Sequence, residues 1–295
     1  MSLAHALSID VEDWFQVLNM ARSVAREDWD RMELRCADST RRLLDLLDRR
    51  GARATFFFLG WIADRLPDLV ADVRAAGHEI GSHGHAHVPL HDLGRHGFEE
   101  DLRRASDALR RVTGEAPRSY RACTWSVTRR TPWAFRVLLD QGIDLDSSVF
   151  PVRHPDYGIP GAPLDPFRVA EGADELVEFP PLVSRVFGAR IGVGGGGYLR
   201  LLPLRILCSA LRKREARGVP GCVYVHPWEV DPSQPRRSLG VLRSCRHYVN
   251  LARTMPKLER LLAEFRFVGL AEALAQRGAS WRAKLPAYSA SGLLG

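Results

Sequence analysis

The sequence has few cysteines, and their spacing excludes two common kinds of site. The five cysteines stand at positions 36, 123, 208, 222 and 245, an odd number with no Cys-x-x-Cys pair. A disulfide framework is therefore not expected, and neither is a zinc finger. A chain of this kind suits a reducing compartment.

Long apolar runs are absent as well. No run approaches the roughly 18 apolar residues that a membrane-spanning helix requires. The first residues lack a basic region followed by a long apolar stretch and are already acidic at Asp10, so we expect no signal peptide. These absences predict a cytoplasmic protein, peripheral to the inner membrane if it contacts a membrane.

Nucleic-acid and nucleotide signatures are missing too. Lysine and arginine (42) outnumber aspartate and glutamate (35), but the net charge of +7 is spread along the chain. No patch interleaves aromatic and basic residues, so we expect no nucleic-acid partner. The excess of positive charge instead favours contact with an anionic surface. The glycine run at residues 194–197 lacks the GxxxxGK[ST] pattern of a phosphate-binding loop, and we interpret it as a flexible loop beside a site.

Strand and helix patterns alternate along the chain. Its 295 residues are 45% hydrophobic and can bury a large core. Short apolar runs such as residues 54–59 and 222–225 predict buried strands, and residues 62–76 predict one helix that follows the first of them. Repeated β-then-α units predict an α/β fold with parallel strands, either a barrel or an open doubly wound sheet. We expect one domain over residues 1–285, an irregular insertion at about 151–220, and a loose tail at 286–295.

Three histidines fall within five residues, at His83, His85 and His87. Imidazole is a common metal ligand. In a helical turn His83 and His87 would share a face and His85 would point away, whereas in an extended segment all three would share a face. The segment is therefore either half of a metal site or a polar loop that binds nothing.

Further chemical groups follow successive predicted strands. Because the carboxyl ends of parallel strands meet at one end of the sheet, we expect these groups to lie close together. Two imidazoles, carboxylates, an arginine and an isolated histidine are the groups of a metal-assisted hydrolase. Taken singly, Asp10 and Asp13 could each cap a turn or a helix. The groups are Asp10, Glu12 and Asp13 after the first strand, then Arg121, Asp146 and His226 after later strands.

Five ordered motifs stand at residues 8–15 (SIDVEDWF), 77–87 (GHEIGSHGHAH), 120–122 (YRA), 146–151 (DSSVFP) and 224–229 (YVHPWE). Together they resemble those of the NodB-type polysaccharide deacetylases of carbohydrate esterase family 4. The resemblance extends from Leu7 to Pro235, and the whole chain resembles the subgroup found with exopolysaccharide loci of exosortase/PEP-CTERM bacteria. It implies a distorted (β/α)7-type barrel, the NodB homology fold.

The resemblance also implies a ligand set for one divalent ion. His83 and His87 would be two ligands, with Glu12 as the first choice for the third ligand and Asp13 as the second. Zinc is the expected ion, and Co²⁺, Ni²⁺ or Mn²⁺ are alternatives. The family places an aspartate at this third position, so a glutamate would move the carboxylate by about one bond length.

The remaining roles follow from the same resemblance. Asp10 would be the general base, and Arg121 would orient it and keep it ionised. His226 would protonate the departing amine, and Asp146 would tune the site by pairing with His226. A backbone N–H near Thr124 would hold the oxyanion. Cys123 stands where the family has a proline.

These roles predict a metal-dependent hydrolase that removes N-acetyl groups from an amino-sugar polymer or from its lipid-linked precursor, in exopolysaccharide biosynthesis. The basic surface suits a substrate at an anionic membrane face. One alternative is a hydrolase of the same fold that acts on another C–N bond. The other is a carbohydrate-binding barrel without turnover, although binding alone requires neither a base nor an acid.

Overall fold

The computed structural model describes residues 3–186 and 188–294, and it consists of one large sheet, a small hairpin and surrounding helices. The strands are β1 Ala4–Val11, β2 Thr55–Phe58, β3 Glu79–Ser82, β4 Ser119–Tyr120, β5 Leu145–Asp146, β6 Phe167–Glu171, β7 Asp174–Glu178, β8 Val183–Val186, β9 Ala189–Gly192, β10 Cys222–Val225, β11 Arg266–Val268 and β12 Ala287–Ser289. The α-helices are α1 Cys36–Arg49, α2 Gly60–Arg65, α3 Pro67–Ala75, α4 Leu90–Thr113, α5 Ala134–Asp140, α6 Gly196–Leu201, α7 Leu204–Ala216, α8 Val241–Tyr248, α9 Thr254–Glu264, α10 Leu270–Ala275, α11 Ala279–Ala283 and α12 Ala290–Leu294. Short 3₁₀ helices span Arg26–Arg31, Cys123–Trp125, Pro227–Val230 and Leu251–Arg253.

Seven parallel strands form a barrel. Their order is β10-β1-β2-β3-β4-β5-β7, and each pair of neighbours is parallel. The chain that follows β7 closes the ring, because Leu182 N donates to Cys222 O at 2.8 Å and Tyr224 N donates to Gly194 O at 2.9 Å. β4 and β5 contain only two residues each, so the barrel is distorted. The predicted fold class is confirmed.

Apolar strands lined by helices explain why the barrel forms here. In β2 the residues Phe56, Phe57 and Phe58 are fully buried, since one face lies inside the ring and the other lies under helices. Leu43 and Leu47 of α1 belong to the same apolar cluster as Phe56. The carboxyl ends of the parallel strands therefore point to one end of the barrel, where the loops carry the polar side chains.

Proline divides a helix that the sequence pattern predicted as continuous. Residues 62–76 form parts of two helices, because Pro67 has no N–H to donate and cannot follow Leu66 within one helix. Leu66 leaves the helical region, with φ −128° and ψ 56°. The single predicted helix is therefore wrong at this position.

The two stretches that we expected to be irregular or loose are largely ordered. Residues 151–220 contain the hairpins β6–β7 and β8–β9 and the helices α6 and α7. At the other end of the chain, β12 adds to the sheet in parallel to β6. Ala290 and Leu293 are buried in an apolar cluster, and this burial holds the tail in place. Gly295 lies outside the described residues.

The glycine run is a packed part of the barrel, which corrects its interpretation as a flexible loop. Gly195 forms a β-bridge with Tyr224 of β10. A side chain on Gly195 would overlap the carbonyl oxygen of Tyr224, so only glycine permits this approach. Gly196 then begins α6 with φ 56°. Glycine is required here because two backbones meet closely.

Among the described residues, no helix has both the length and the apolar composition needed to span a bilayer.

Candidate active site and metal centre

A cleft of about 380 Å³ lies at the carboxyl ends of the barrel strands. Its floor is polar, and its walls carry many aromatic side chains. The side chains that line it include Asp10, Glu12, His83, His87, Thr124, Trp125, His154, Tyr157, Tyr198, Arg200, Tyr224, His226, Trp228 and Arg246. The predicted convergence of groups from separate strands is therefore seen for Asp10, Glu12, His83, His87 and His226.

The histidine segment is neither helical nor extended. It is a bend after β3 in which Gly84 and His87 both have positive φ, at 74° and 51°. The carboxylate of Asp101 on α4 holds this bend by accepting hydrogen bonds from His85 N at 2.7 Å and Ala86 N at 3.0 Å. His85 turns away from the cleft, with Nε2 lying 3.1 Å from Asp64 Oδ2, whereas His83 and His87 line the cleft.

Glu12, His83 and His87 form a candidate metal centre. One ligating atom from each of the three lies within 4.8 Å of the others, and Glu12 Oε2 is 2.7 Å from His87 Nε2. His83 Nδ1 donates to Arg121 O at 2.7 Å, so the lone pair of His83 Nε2 is free for a ligand. Two imidazoles and one carboxylate are a typical ligand set of a catalytic zinc site with an open position.

Protonation states favour ion binding at this centre. Burial opposes the charge on Glu12, but the neighbouring imidazoles, led by His87, outweigh it and lower the pKa of Glu12 to about 2. Burial lowers the pKa of His83 to about 4, so this imidazole is neutral. Glu12 Oε2 is buried and has no hydrogen bond of regular geometry from the described part of the chain, and its close neighbour is His87 Nε2 at 2.7 Å, the other candidate ligand atom. The residues therefore fit a divalent ion.

Asp13, the second choice for the carboxylate ligand, has a different place. Its Oδ2 accepts hydrogen bonds from Arg35 N at 2.8 Å and Cys36 N at 2.9 Å, and its Oδ1 accepts one from Trp14 N at 2.8 Å. Asp13 therefore caps the start of α1 and its carboxylate is fully occupied. Among the described residues the metal cluster contains Glu12 and not Asp13.

Asp10 and Arg121 form a fully buried ion pair. Arg121 NH1 donates to Asp10 Oδ1 at 2.7 Å and to Ser8 Oγ at 2.6 Å. Its other nitrogens donate to Ser147, at 3.0 Å from Nε to the carbonyl oxygen and 2.7 Å from NH2 to Oγ. Because Ser8 and Ser147 fix the guanidinium from two sides, Arg121 holds Asp10 in one orientation. Ser8 and Ser147 were not predicted, although both lie within the quoted motifs.

His226 faces the two carboxylates. Its Nε2 lies 3.7 Å from Asp10 Oδ2 and 3.5 Å from Glu12 Oε1. Burial disfavours the imidazolium, but the charges of Glu229, Glu12 and Asp10 outweigh burial and raise the pKa of His226 to about 9. The surrounding carboxylates therefore favour the imidazolium form of His226.

The partner of His226 is Glu229, which corrects the predicted pairing with Asp146. His226 Nδ1 donates to Glu229 Oε2 at 2.7 Å. Asp146 instead accepts a hydrogen bond from Ser148 Oγ at 2.5 Å and lies beside Glu178. The sequence signal for Glu229 was its position three residues after His226, because residues three apart face each other across one 3₁₀ turn.

Thr124 lines the cleft in a strained turn. Thr124 and Trp125 have positive φ of 51° and 54°, within the short 3₁₀ helix that follows Arg121. Cys123 is buried, and burial raises its pKa to about 12, so it is a protonated thiol. Within the described residues Cys123 is not part of the metal cluster. The use of a backbone N–H near Thr124 as an oxyanion donor stays a prediction.

Aromatic rings form the walls of the cleft. Trp125 packs edge-on against Tyr224, with ring centroids 5.1 Å apart, and His154 stacks on Tyr157 at 3.8 Å. Such flat apolar surfaces suit the faces of sugar rings, and a polar floor suits the group that reacts. These wall residues follow no sequence period, so they were not predicted.

Fold and site together define a class: an α/β barrel with a candidate metal centre in the cleft at the carboxyl ends of its strands. Residues 28–138 match the family model described as polysaccharide deacetylase. Residues 147–275 match a second model, described as a domain of unknown function (DUF3473). The barrel sheet passes through both matched ranges.

Relatives of known name match one part of the chain. A chitin deacetylase of Colletotrichum lindemuthianum is 40% identical over 88 residues, which cover 28% of this chain and 36% of the relative. A peptidoglycan-N-acetylglucosamine deacetylase of Bacillus cereus is 32% identical over 82 residues, which cover 28% of this chain and 30% of the relative. The chain thus spans about a third of the length of these curated relatives.

Solved structures share the fold over almost the whole chain. A Mycobacterium smegmatis protein described as a polysaccharide deacetylase aligns with a TM-score of 0.60 and 21% identity, over 95% of this chain and 92% of its own. Puue allantoinase aligns with a TM-score of 0.60 and 16% identity, over 95% of this chain and 91% of its own. At these identities the likeness shows the fold alone.

Proposed function

We propose that this chain is a metal-dependent N-deacetylase that hydrolyses acetamido groups of an amino-sugar glycan. The observation that carries the proposal is the meeting of a base, an acid and a metal-ligand cluster in one cleft. Asp10 and Glu12 both lie within 4 Å of His226, and Glu12 joins His83 and His87. The names of the matched relatives, chitin and peptidoglycan deacetylases, support an N-acetylated glycan as the substrate.

The ion would be held by Glu12, His83 and His87, and when bound it would polarise the acetyl carbonyl and acidify water. Asp10, fixed by Arg121, accepts a proton from the attacking water, whose oxygen forms a bond to the acetyl carbon. His226 gives its Nε2 proton to the glycan nitrogen, and the C–N bond then breaks. The products are acetate and a free amine, so one water is consumed in each turnover.

We further propose that the substrate belongs to exopolysaccharide biosynthesis and is a polymer or its lipid-linked precursor. This finer assignment rests on the motif resemblance to the exosortase/PEP-CTERM subgroup and on the basic charge of the chain. Arg246 at the cleft adds a cation that suits a phosphorylated substrate. A protein acting on such precursors would work in the cytoplasm at the inner membrane face, and zinc is the proposed ion.

The test combines metal content with acetate release from chitooligosaccharides. We expect about one zinc per chain in the parent protein, loss of zinc in His83→Ala, and retained zinc without acetate release in Asp10→Asn. His85→Ala is the matched control, because His85 lies in the same segment but faces Asp64. It should keep both zinc and activity.

Two results would contradict the proposal in different ways. A parent protein that holds no metal after zinc is supplied would remove the mechanism and leave a carbohydrate-binding barrel. A zinc-loaded parent that releases no acetate from several N-acetylated glycans would favour a different C–N bond. Puue allantoinase shares the fold, so the fold by itself does not choose between these substrates.

A further inference from the structure

Glu229 is a buried carboxylate that connects the candidate acid with a cation behind it. It is fully buried, with Oε2 accepting a hydrogen bond from His226 Nδ1 and Oε1 accepting one from Arg200 Nε, both at 2.7 Å. Oε2 also accepts the backbone N–H of His226 at 3.1 Å. Both oxygens are thus occupied, and each faces a donor.

Only a carboxylate satisfies this position. A neutral amide has one accepting oxygen and one donating nitrogen. If the oxygen faced His226, the NH₂ group would point at the Arg200 guanidinium, and the reverse orientation would place a donor against His226. A buried donor facing a donor leaves both unpaired, which is costly.

Arg200 is itself anchored. It lies on α6, directly after the glycine run, and is 2% exposed. Its NH1 donates to His247 O at 2.6 Å and Val249 O at 3.2 Å. The position of Glu229 is therefore set by α6 and by the segment that precedes α9. Burial opposes the charge of Glu229, but His226 and Arg200 outweigh burial and hold the pKa of Glu229 below its usual range.

We propose that Glu229, held by Arg200, is the positioning residue for the acid, keeping the proton on His226 Nδ1 and aiming Nε2 into the cleft. The proposal rests on the proposed deacetylase function. It assigns to Glu229 the role that the motif resemblance gave to Asp146, whose carboxylate contacts Ser148 instead. An imidazole fixed in this way holds its Nε2 proton toward the glycan nitrogen, where the C–N bond must break.

The test compares two leaving groups. An amine leaves only after protonation, whereas 4-nitrophenolate leaves without a proton. In Glu229→Gln we therefore expect the kcat for acetate release from chitooligosaccharides to fall by about tenfold or more, while hydrolysis of 4-nitrophenyl acetate changes little. KM for the glycan should be nearly unchanged, because Glu229 contacts His226 and not the open cleft.

The matched control is Asp231→Asn. Asp231 is also a buried carboxylate paired with an arginine, accepting from Arg35 Nε at 2.6 Å, and it lies two residues after Glu229. It has no contact with His226 among the described residues. A purely structural effect would lower stability in both variants but would leave the ratio of amide to ester kcat unchanged.

A second readout needs no turnover. In protein labelled with ¹⁵N-histidine, the Nδ1–H of His226 should give a far-downfield proton resonance, absent in His226→Gln and displaced in Glu229→Gln. Arg200→Lys, which keeps a positive charge, should shift the His226 Nδ1–H resonance less than Glu229→Gln does. It serves as the second variant if Glu229→Gln does not fold. An unchanged resonance together with an unchanged amide-to-ester ratio would overturn the proposal. If the parent releases no acetate, the deacetylase proposal fails, whereas the resonance still tests the contact between Glu229 and His226.

Discussion

Replacing the buried Glu178 by glutamine should stabilise the protein, increasingly so as the pH rises. Glu178 and Asp146 are both fully buried and hydrogen-bonded to each other, so the pair shares a proton, and no other described residue satisfies Asp146 Oδ2 or Glu178 Oε2. Burial and the charge of Asp146 hold the pKa of Glu178 well above its usual range, and burial raises the pKa of Asp146 to about 6. The folded state therefore keeps a proton that the unfolded state loses.

The expected magnitude follows from proton linkage. A raised carboxyl pKa stabilises the folded state below the unfolded pKa, near 4.5 for glutamate, and this contribution is lost as the pH rises toward the folded value. Each pH unit in this window lowers the free energy of unfolding by about 1.4 kcal/mol for each proton that is released on unfolding. From about pH 4.5 to about pH 6, Glu178→Gln should gain about 2 kcal/mol over the parent. Its amide keeps the contact in which Val149 N donates to Oε1 at 3.0 Å.

The assay is chemical unfolding of metal-free parent and variant across this pH range. The difference in free energy of unfolding between Glu178→Gln and the parent should grow with pH. Glu175→Gln is the control, because Glu175 lies on the same strand β7 and is exposed. A difference that stays constant, or one that favours the parent above pH 6, would refute the assignment of a shared buried proton.

Two further predictions separate neighbouring residues with different roles. Glu12→Gln should abolish tight zinc binding while leaving the apo fold intact. Asp13→Asn should keep zinc but lose about 1 to 3 kcal/mol of stability, because one oxygen that accepts backbone N–H groups becomes a donor. Zinc titration and denaturant unfolding of both variants check this, and the opposite pattern would make Asp13 the ligand. Gly195→Ala should cost about 1 to 3 kcal/mol, since its Cβ would overlap Tyr224 O. Gly197→Ala should be tolerated by comparison, because the nearest atom to its Cβ is 3.9 Å away, and equal losses of stability would contradict the close packing of the run.

Local pattern was sufficient for the elements with strong periodicity or clear ends. The strand predicted at residues 222–225 is β10, with the same bounds. Phe98, Leu102, Ala105 and Leu109 recur at helical spacing and form the buried face of α4, which ends at Gly114, a left-handed cap with φ 82°. Pro67 marks the break within residues 62–76, but the helical spacing of apolar residues continues on both sides of it and suggested a single helix.

The insertion and the tail were beyond local reasoning. β6 and β7 are short and half-buried and β12 is short and exposed, and all three depend on pairing with one another and with β5. A two-residue strand such as β5 has no period at all. Apart from the β6–β7 hairpin, this half of the sheet depends on pairing between residues far apart in the chain, which no short window of the sequence contains.

The sequence by itself determined which chemical groups are available and in what order: a carboxylate pair after the first strand, an HxxxH segment, an arginine and a late histidine, on an α/β barrel. Only the tertiary structure decided their partners. It chose Glu12 rather than Asp13 for the metal cluster and Glu229 rather than Asp146 for His226. The physical reason is that burial and hydrogen bonding depend on atoms far apart in the chain, as in the contact between Arg200 and Glu229. Residue type therefore fixes what a side chain can do, and packing fixes what it does.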